Sequence, residues 1–129
     1  MSYLLDTSSF LWFVGDDSKL SFGTRDLLEN PGIDIYLSLA SVWEIAIKAR
    51  LGRGLELPRP FPAFIDVVLD NYEFIILEIT VLHLKQVAEL PLIHRDPFDR
   101  LLIAQSIAEY LPIISNDKAF DAYDIQRVW

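Results

Sequence analysis

Short apolar segments alternate with helical segments along almost the whole chain, and this alternation constrains the fold more than any other feature. Runs rich in β-branched and aromatic residues predict five strands, at residues 3–5, 33–39, 74–79, 112–115 and 125–129. Apolar periodicity and Gly/Pro breaks predict helices at residues 10–14, 22–30, 41–51, 63–71, 81–90, 97–110 and 117–122. Strands that alternate with helices at this spacing indicate a parallel sheet covered on both faces. We therefore predict an α/β fold with a central, mainly parallel sheet.

Composition narrows the class of protein. A chain of 129 residues suffices for one domain, which we assign to residues 1–129, and a hydrophobic fraction of 52% is that of a globular protein. The absence of cysteine excludes disulfides and thiolate metal sites. The first residues lack a basic leader, and no charge-free apolar run approaches the ~20 residues of a membrane-spanning helix. We expect a cytoplasmic protein without a membrane partner.

The net charge of −8 argues against a nucleic-acid partner, because phosphate binding usually needs a basic surface. Two features leave that function open. Carboxylates gathered in one site hold divalent cations that reverse the local sign of charge. In addition, four of the eleven basic residues fall within twelve positions: Lys48, Arg50, Arg53 and Arg59.

Three acidic residues lie just beyond predicted strands. Asp6 follows the first strand, Glu44 lies in the helix after the second, and Asp117 follows the 112–115 strand by two residues. Because the working crevice of an open parallel sheet lies beyond the carboxyl ends of its strands, we expect these three side chains at one edge. Asp99 begins the helix before the fourth strand, and this rule does not place it.

Helix capping is the alternative explanation for each acid. Asp6 and Asp117 suit N-caps, and the SVWE segment that ends at Glu44 has the spacing of a capping box. In HRDPFDRLLIAQ, residues 94–105, Asp96 suits the N-cap and Asp99 the positive end of the helix dipole. Four clustered carboxylates, however, repel one another unless a cation compensates them. Oxygen ligands favour Mg²⁺ or Mn²⁺. In phosphodiester cleavage such a cation lowers the pKa of the attacking water and stabilises charge on the phosphate oxygens.

Four motifs closely resemble the PIN-domain family: LLDTS at 4–8, SVWEIAIK at 41–48, DPFDRLLIAQ at 96–105 and IISNDKAF at 113–120. Within that family the chain is most similar to VapC-type toxins of toxin–antitoxin pairs. The resemblance covers the whole chain, and the order and spacing of the acids make it specific. It implies a three-layer α/β/α sandwich that carries a Mg²⁺- or Mn²⁺-dependent endoribonuclease site.

By motif, the resemblance implies that four residues are catalytic and metal-binding: Asp6, Glu44, Asp99 and Asp117. Ser115 matches a small hydroxyl residue that supports the site, and Asp96 is an additional acid that we interpret as the N-cap. The resemblance further implies a homodimer and a cognate antitoxin protein that blocks the site.

The expected substrate is single-stranded RNA, with Lys48, Arg50 and Arg53 binding flanking phosphates. A solvated helix end is the alternative for these three residues. His83 and His94 are not expected to be catalytic, because the mechanism needs neither. One candidate antitoxin surface consists of aromatic residues, for which a place in the core is the alternative: Phe10, Trp12, Phe13 and Trp43.

Two other functions compete with the nuclease. A phosphoacceptor domain requires paired acids at its first strand and an acceptor Asp after a middle strand. Here only Asp6 follows the first strand, and the segments 33–39 and 74–79 end without an Asp. A catalytically inactive PIN-like domain that binds a partner or RNA is the second alternative, because an intact motif does not guarantee activity.

Overall fold

The computed structural model describes residues 1–52 and 54–129. Five strands lie in this part of the chain: β1 Ser2–Leu5, β2 Asp34–Ser38, β3 Ile75–Leu77, β4 Ile113–Ile114 and β5 Arg127–Val128. The α-helices are α1 Thr7–Val14, α2 Phe22–Glu29, α3 Leu39–Leu51, α4 Phe61–Asn71, α5 Val81–Glu89 and α6 Pro97–Glu109. A short 3₁₀ helix, Lys118–Ala122, precedes the last strand.

The strands form one sheet in the order β3-β2-β1-β4-β5, and every neighbouring pair is parallel. The predicted parallel sheet is therefore confirmed. Leu5, the last residue of β1, is in register with Leu37 of β2 and Ile114 of β4. This register brings Asp6 and Ser115, which follow β1 and β4, to neighbouring positions at the carboxyl edge of the sheet.

Successive strand side chains point to opposite faces of the sheet, and a hydrophobic core covers each face. Leu4 and Ile113 point into a core completed by α6 residues such as Leu102. Leu5 and Ile114 point to the other face, where residues from α1, α3 and α4 complete the second core: Phe10, Ile45, Phe64 and Val68. The result is the predicted three-layer α/β/α arrangement, in which buried apolar side chains fix both helical layers to the sheet.

The helix ends explain how the acids are presented. Helix α3 begins at Leu39 because the Ser38 hydroxyl accepts a hydrogen bond from the backbone N–H of Ala40, at 3.0 Å. Glu44 therefore lies inside the helix, and the capping-box interpretation of Glu44 is wrong. Helix α3 ends as expected at Gly52, whose φ of +64° suits glycine.

Helix α6 begins as the sequence indicates, with Asp96 as its N-cap. The Asp96 side chain accepts hydrogen bonds from the backbone N–H groups of Phe98 and Asp99. Because α6 leads into β4, its N-terminus lies at the carboxyl edge of the sheet, and Asp99 joins the other acids there. Among the described residues, none of the helices has the length and apolar character needed to cross a membrane.

Candidate active site

All four predicted acids line one open cleft of about 440 Å³ at the carboxyl edge of the sheet. The strand ends contribute Asp6 and Asp117, and the helices contribute Glu44 and Asp99. The cleft also contains residues that sequence reasoning did not single out for the site: Thr7, Ser8, Asn116 and Lys118. The convergence expected from strand topology is therefore present, and it includes Asp99, which topology did not place.

Asp6 is buried and held at both carboxylate oxygens. Oδ1 accepts a hydrogen bond from the backbone N–H of Ser9 at 2.8 Å, which caps α1. Oδ2 accepts one from the hydroxyl of Ser115 at 2.6 Å. Burial raises the pKa of the Asp6 carboxyl, the hydrogen bonds oppose that rise, and the charge of Asp117 adds to it. Oδ1 of Asp6 therefore caps α1, and Oδ2 is held at the cleft by Ser115.

Glu44 is a buried helical carboxylate with two partners. Oε1 accepts a hydrogen bond from the Thr7 hydroxyl at 2.7 Å, and Oε2 accepts one from Lys48 Nζ, one turn later in α3. The same Thr7 oxygen lies 2.9 Å from the Ser41 hydroxyl. Thr7 directly follows Asp6 in the chain, so the short DTS sequence links the first two acids of the cleft.

Asp99 is the electrostatically strained member of the group. Burial, together with the negative charges of Asp96, Glu44, Asp6 and Asp117, raises the pKa of the Asp99 carboxyl to about 7. Its Oδ2 lies 3.1 Å from Nε2 of His94, a residue that the sequence did not place in the site. A carboxyl with such a pKa is close to protonation at neutral pH, and a nearby cation would favour its charged form.

The most compact set of possible metal ligands in the described chain consists of His94, Asp99 and Asp117. One ligand atom from each of these residues lies within 4.8 Å of the others. Asp6 and Glu44 are outside this set, and hydrogen bonds hold their oxygens against Ser115 and Thr7. The cleft therefore gathers four carboxylates without placing all four in one compact ligand set.

This donor set fits a divalent cation. The carboxylates of Asp99 and Asp117 supply hard oxygen ligands, which Mg²⁺ and Mn²⁺ prefer. The raised pKa of Asp99 comes from burial and unbalanced negative charge, both of which a bound cation counteracts. A bound divalent cation would therefore compensate the negative charge gathered around Asp99.

The predicted RNA-binding residues are placed differently from one another. Lys48 lies at the cleft, where Glu44 raises the pKa of its ammonium group. Arg50 is exposed on another face of α3 and lines a separate pocket with residues such as Arg59 and Phe61. Arg53 lies outside the described residues. Lys118, beside Asp117, is a second cation at the cleft that the sequence pattern did not single out.

The four aromatic residues of the candidate antitoxin surface do not share one exposed face, and the alternative of a place in the core holds for two of them. Phe10 and Phe13 are buried in the core and make edge contacts with Phe74. Trp43 is exposed on α3 and packs against Phe98. Trp12 lines a groove of about 450 Å³ that adjoins the acidic cleft.

Comparison with protein families decides the classification. A family model for the PIN domain matches residues 3–126. The chain belongs to the PIN-domain family. The family prediction made from the four motifs is thereby confirmed. A search of curated protein sequences finds no significant match.

Solved structures share this fold at low sequence identity. A chain of VapBC2 from Rickettsia felis bound to promoter DNA has a TM-score of 0.74 at 16% identity, covering 100% of this chain and 99% of that one. A toxin–antitoxin complex from Klebsiella pneumoniae gives a TM-score of 0.65 at 15% identity, with coverages of 98% and 96%. VapBC-1 from nontypeable Haemophilus influenzae gives 0.69 at 16% identity, with coverages of 99% and 97%.

Proposed function

We propose that this PIN domain is a Mg²⁺- or Mn²⁺-dependent endoribonuclease and the toxin of a toxin–antitoxin pair. The observation that carries the proposal is the convergence of four carboxylates in one open cleft, where burial and the neighbouring negative charges raise the pKa of Asp99 to about 7. Family membership supports the same class of activity, because PIN domains are generally nucleases.

The four acids contribute to cation binding in two ways. Asp99 and Asp117 offer the oxygens that lie closest together, and Asp6 and Glu44 contribute directly or through water. When bound, the cation supplies positive charge to phosphate oxygens and makes a water molecule more acidic. Ser115 and Thr7 keep the Asp6 and Glu44 carboxylates oriented, since each donates a hydrogen bond to one of their oxygens.

Binding of substrate phosphates requires positive charge at the cleft. Two lysines supply it there, although the net charge of the chain is −8. Lys48 and Lys118 line the cleft together with the acids and are assigned to the phosphates that flank the cleaved bond. The open cleft suits an unpaired strand, because single-stranded segments expose their backbone to a shallow site. Arg50 and Arg53 are assigned to more distant phosphates.

The antitoxin partner is assigned to the groove beside the cleft. Apolar side chains of Leu11, Trp12, Leu57 and Phe64 line this groove, which meets the cleft at Lys48. A partner segment seated there with a basic side chain over the acids would block RNA entry. The similarity to chains of toxin–antitoxin complexes supports this assignment.

The second copy of the homodimer is assigned to α3. Its exposed apolar residues recur every four positions and form one stripe: Leu39, Trp43, Ile47 and Leu51. Such a stripe is better covered by a partner than by water. We place the protein in the cytoplasm, where an RNA substrate is available and a chain without cysteine needs no oxidising compartment.

Cleavage of total bacterial RNA tests the proposal without a choice of target sequence. Mapping of new RNA ends is expected to show discrete cuts with wild type in Mn²⁺ and none in EDTA. Asp99→Asn is expected to lose the cuts. Asp66→Asn, which removes an equal charge from an exposed position of α4, is expected to retain them. Absence of cuts by wild type in Mn²⁺ would favour the inactive, partner-binding alternative.

A further inference from the structure

The loop between α5 and α6 brings His94 against Asp99, and this contact suggests a role beyond the four acids. We propose that His94 is a positioning residue: its Nε2–H orients the Asp99 carboxylate so that the other oxygen is presented to the divalent cation. This inference rests on the proposed function, because it concerns the cation of the same cleft.

The hydrogen bonds of the imidazole fix its tautomer. Nδ1 accepts a hydrogen bond from the backbone N–H of Asp96 at 3.2 Å. A neutral imidazole whose Nδ1 is an acceptor carries its proton on Nε2. That protonated nitrogen lies 3.1 Å from Asp99 Oδ2, so the donor end of the ring faces the carboxylate.

The backbone of His94 is held as firmly as its ring. Its N–H donates to the hydroxyl oxygen of Tyr123 at 2.7 Å, and that hydroxyl donates to the carbonyl of Pro91 at 3.1 Å. The guanidinium of Arg100 donates to the carbonyl oxygens of Pro91 and His94. Side chains from α6 and from beyond the 3₁₀ helix therefore fix this loop residue in front of Asp99.

Direct ligation by His94 conflicts with this geometry. A nitrogen that carries a proton has no free lone pair for a metal, so ligation through Nε2 would require the proton to move to Nδ1. Nδ1–H would then face the backbone N–H of Asp96, and two donors would oppose each other at 3.2 Å. Partners that orient a metal-binding carboxylate typically change metal affinity by ~10- to 100-fold when they are removed.

Two substitutions separate a positioning role from a structural role in the loop. His94→Gln places an amide nitrogen near the former Nε2 and keeps a donor toward Asp99. His94→Asn places its polar atoms near the former Nδ1, so it keeps the acceptor for the Asp96 N–H but does not reach Asp99. If His94 positions Asp99, the glutamine variant retains Mn²⁺ affinity and the asparagine variant loses it.

Mn²⁺ dissociation constants measured from the electron paramagnetic resonance signal of free Mn²⁺ provide the readout. We expect a ~10- to 100-fold weaker affinity for His94→Asn and a change within about threefold for His94→Gln. Thermal unfolding of both variants in EDTA serves as the control for folding. The reverse order, with asparagine retaining affinity and glutamine losing it, would overturn the proposal in favour of a purely structural loop residue.

A measurement on the wild type keeps the proposal testable if a variant fails to fold. In ¹⁵N-histidine NMR spectra, His94 is expected to keep its proton on Nε2 both without cation and with saturating Mg²⁺. Loss of that proton on Mg²⁺ addition would overturn positioning in favour of direct ligation. Wild type that binds no Mn²⁺ would overturn both the cation of the proposed function and this inference. Wild-type binding with the reversed variant order would overturn the inference alone.

Discussion

Removal of the Asp99 charge is expected to stabilise the cation-free protein above neutral pH. A pKa raised from 3.8 to about 7 corresponds to roughly 4 kcal/mol of penalty against the charged form in the folded state. The Asp99 side chain is 23% exposed, so solvent screening makes this figure an upper bound. Loss of a negative charge in the first turn of α6 offsets ~0.5 kcal/mol of the gain from Asp99→Asn.

The pH dependence gives the sign of the effect. Because the folded protein binds the Asp99 proton more tightly than the unfolded chain, its stability falls as pH rises from about 4 to about 7. Asparagine mimics the protonated acid at every pH. The advantage of Asp99→Asn over wild type is therefore expected to grow across this window and to level off above pH 7.5, at a value below ~4 kcal/mol.

Urea unfolding in EDTA at pH 5, 6, 7 and 8 measures this difference, with tryptophan fluorescence as the probe. Asp66→Asn, the exposed control on α4, is expected to differ little from wild type at any pH. A second series with saturating Mn²⁺ is expected to stabilise wild type by ~2–3 kcal/mol at 100 times the dissociation constant, and Asp99→Asn much less. An Asp99→Asn variant that is less stable than wild type at all four pH values would show that Asp99 acts only as a helix-start charge and that charge repulsion in the cleft is negligible.

Three further substitutions test the supports of the cleft. Ser115→Ala removes the donor to Asp6 Oδ2 and is expected to weaken Mn²⁺ binding ~10-fold in calorimetric titration; unchanged affinity would contradict the supporting role. Thr7→Val preserves shape but removes the hydroxyl bonded to Glu44, so we expect urea titration to show a loss of ~1–2 kcal/mol in unfolding free energy. A neutral result would mean that this bond does not hold Glu44. Arg100→Leu removes the guanidinium that donates to four carbonyls before α6, and hydrogen exchange in that loop is expected to accelerate ~10-fold, whereas unchanged exchange would exclude Arg100 as its anchor.

The sequence predicted the elements and the meeting of the acids because both follow from local patterns. Alternation of strands and helices determines a parallel sheet, and parallel strands place Asp6 and Asp117 at one edge. Element ends were less predictable. Ser38, rather than Ser41, caps α3, since both residues suit an N-cap and only tertiary packing decides between them.

Features that depend on tertiary contacts were not available from the sequence. Phe10 and Phe13 have helical spacing that suits either a groove or a core, and the fold buries both. His94 has no motif of its own, and its position beside Asp99 depends on a hydrogen bond that its N–H donates to Tyr123 and on one that its carbonyl accepts from Arg100, both outside its own loop. The extra cation at the cleft, Lys118, follows Asp117 directly, and its adjacency to a predicted site acid is the one signal that could have identified it.

The most direct test of a cation-dependent nuclease cleft is a comparison of two Mn²⁺ titrations of the wild type. One titration follows the rate at which acid-soluble fragments are released from total RNA, and the other follows thermal stability. Both report on the same carboxylates, so we expect half-maximal cleavage near the Mn²⁺ concentration at which the stabilisation sets in, and we expect Asp99→Asn to lose both responses. Cleavage that persists in EDTA, or in Asp99→Asn at the wild-type rate, would exclude a cation-dependent cleft that needs Asp99.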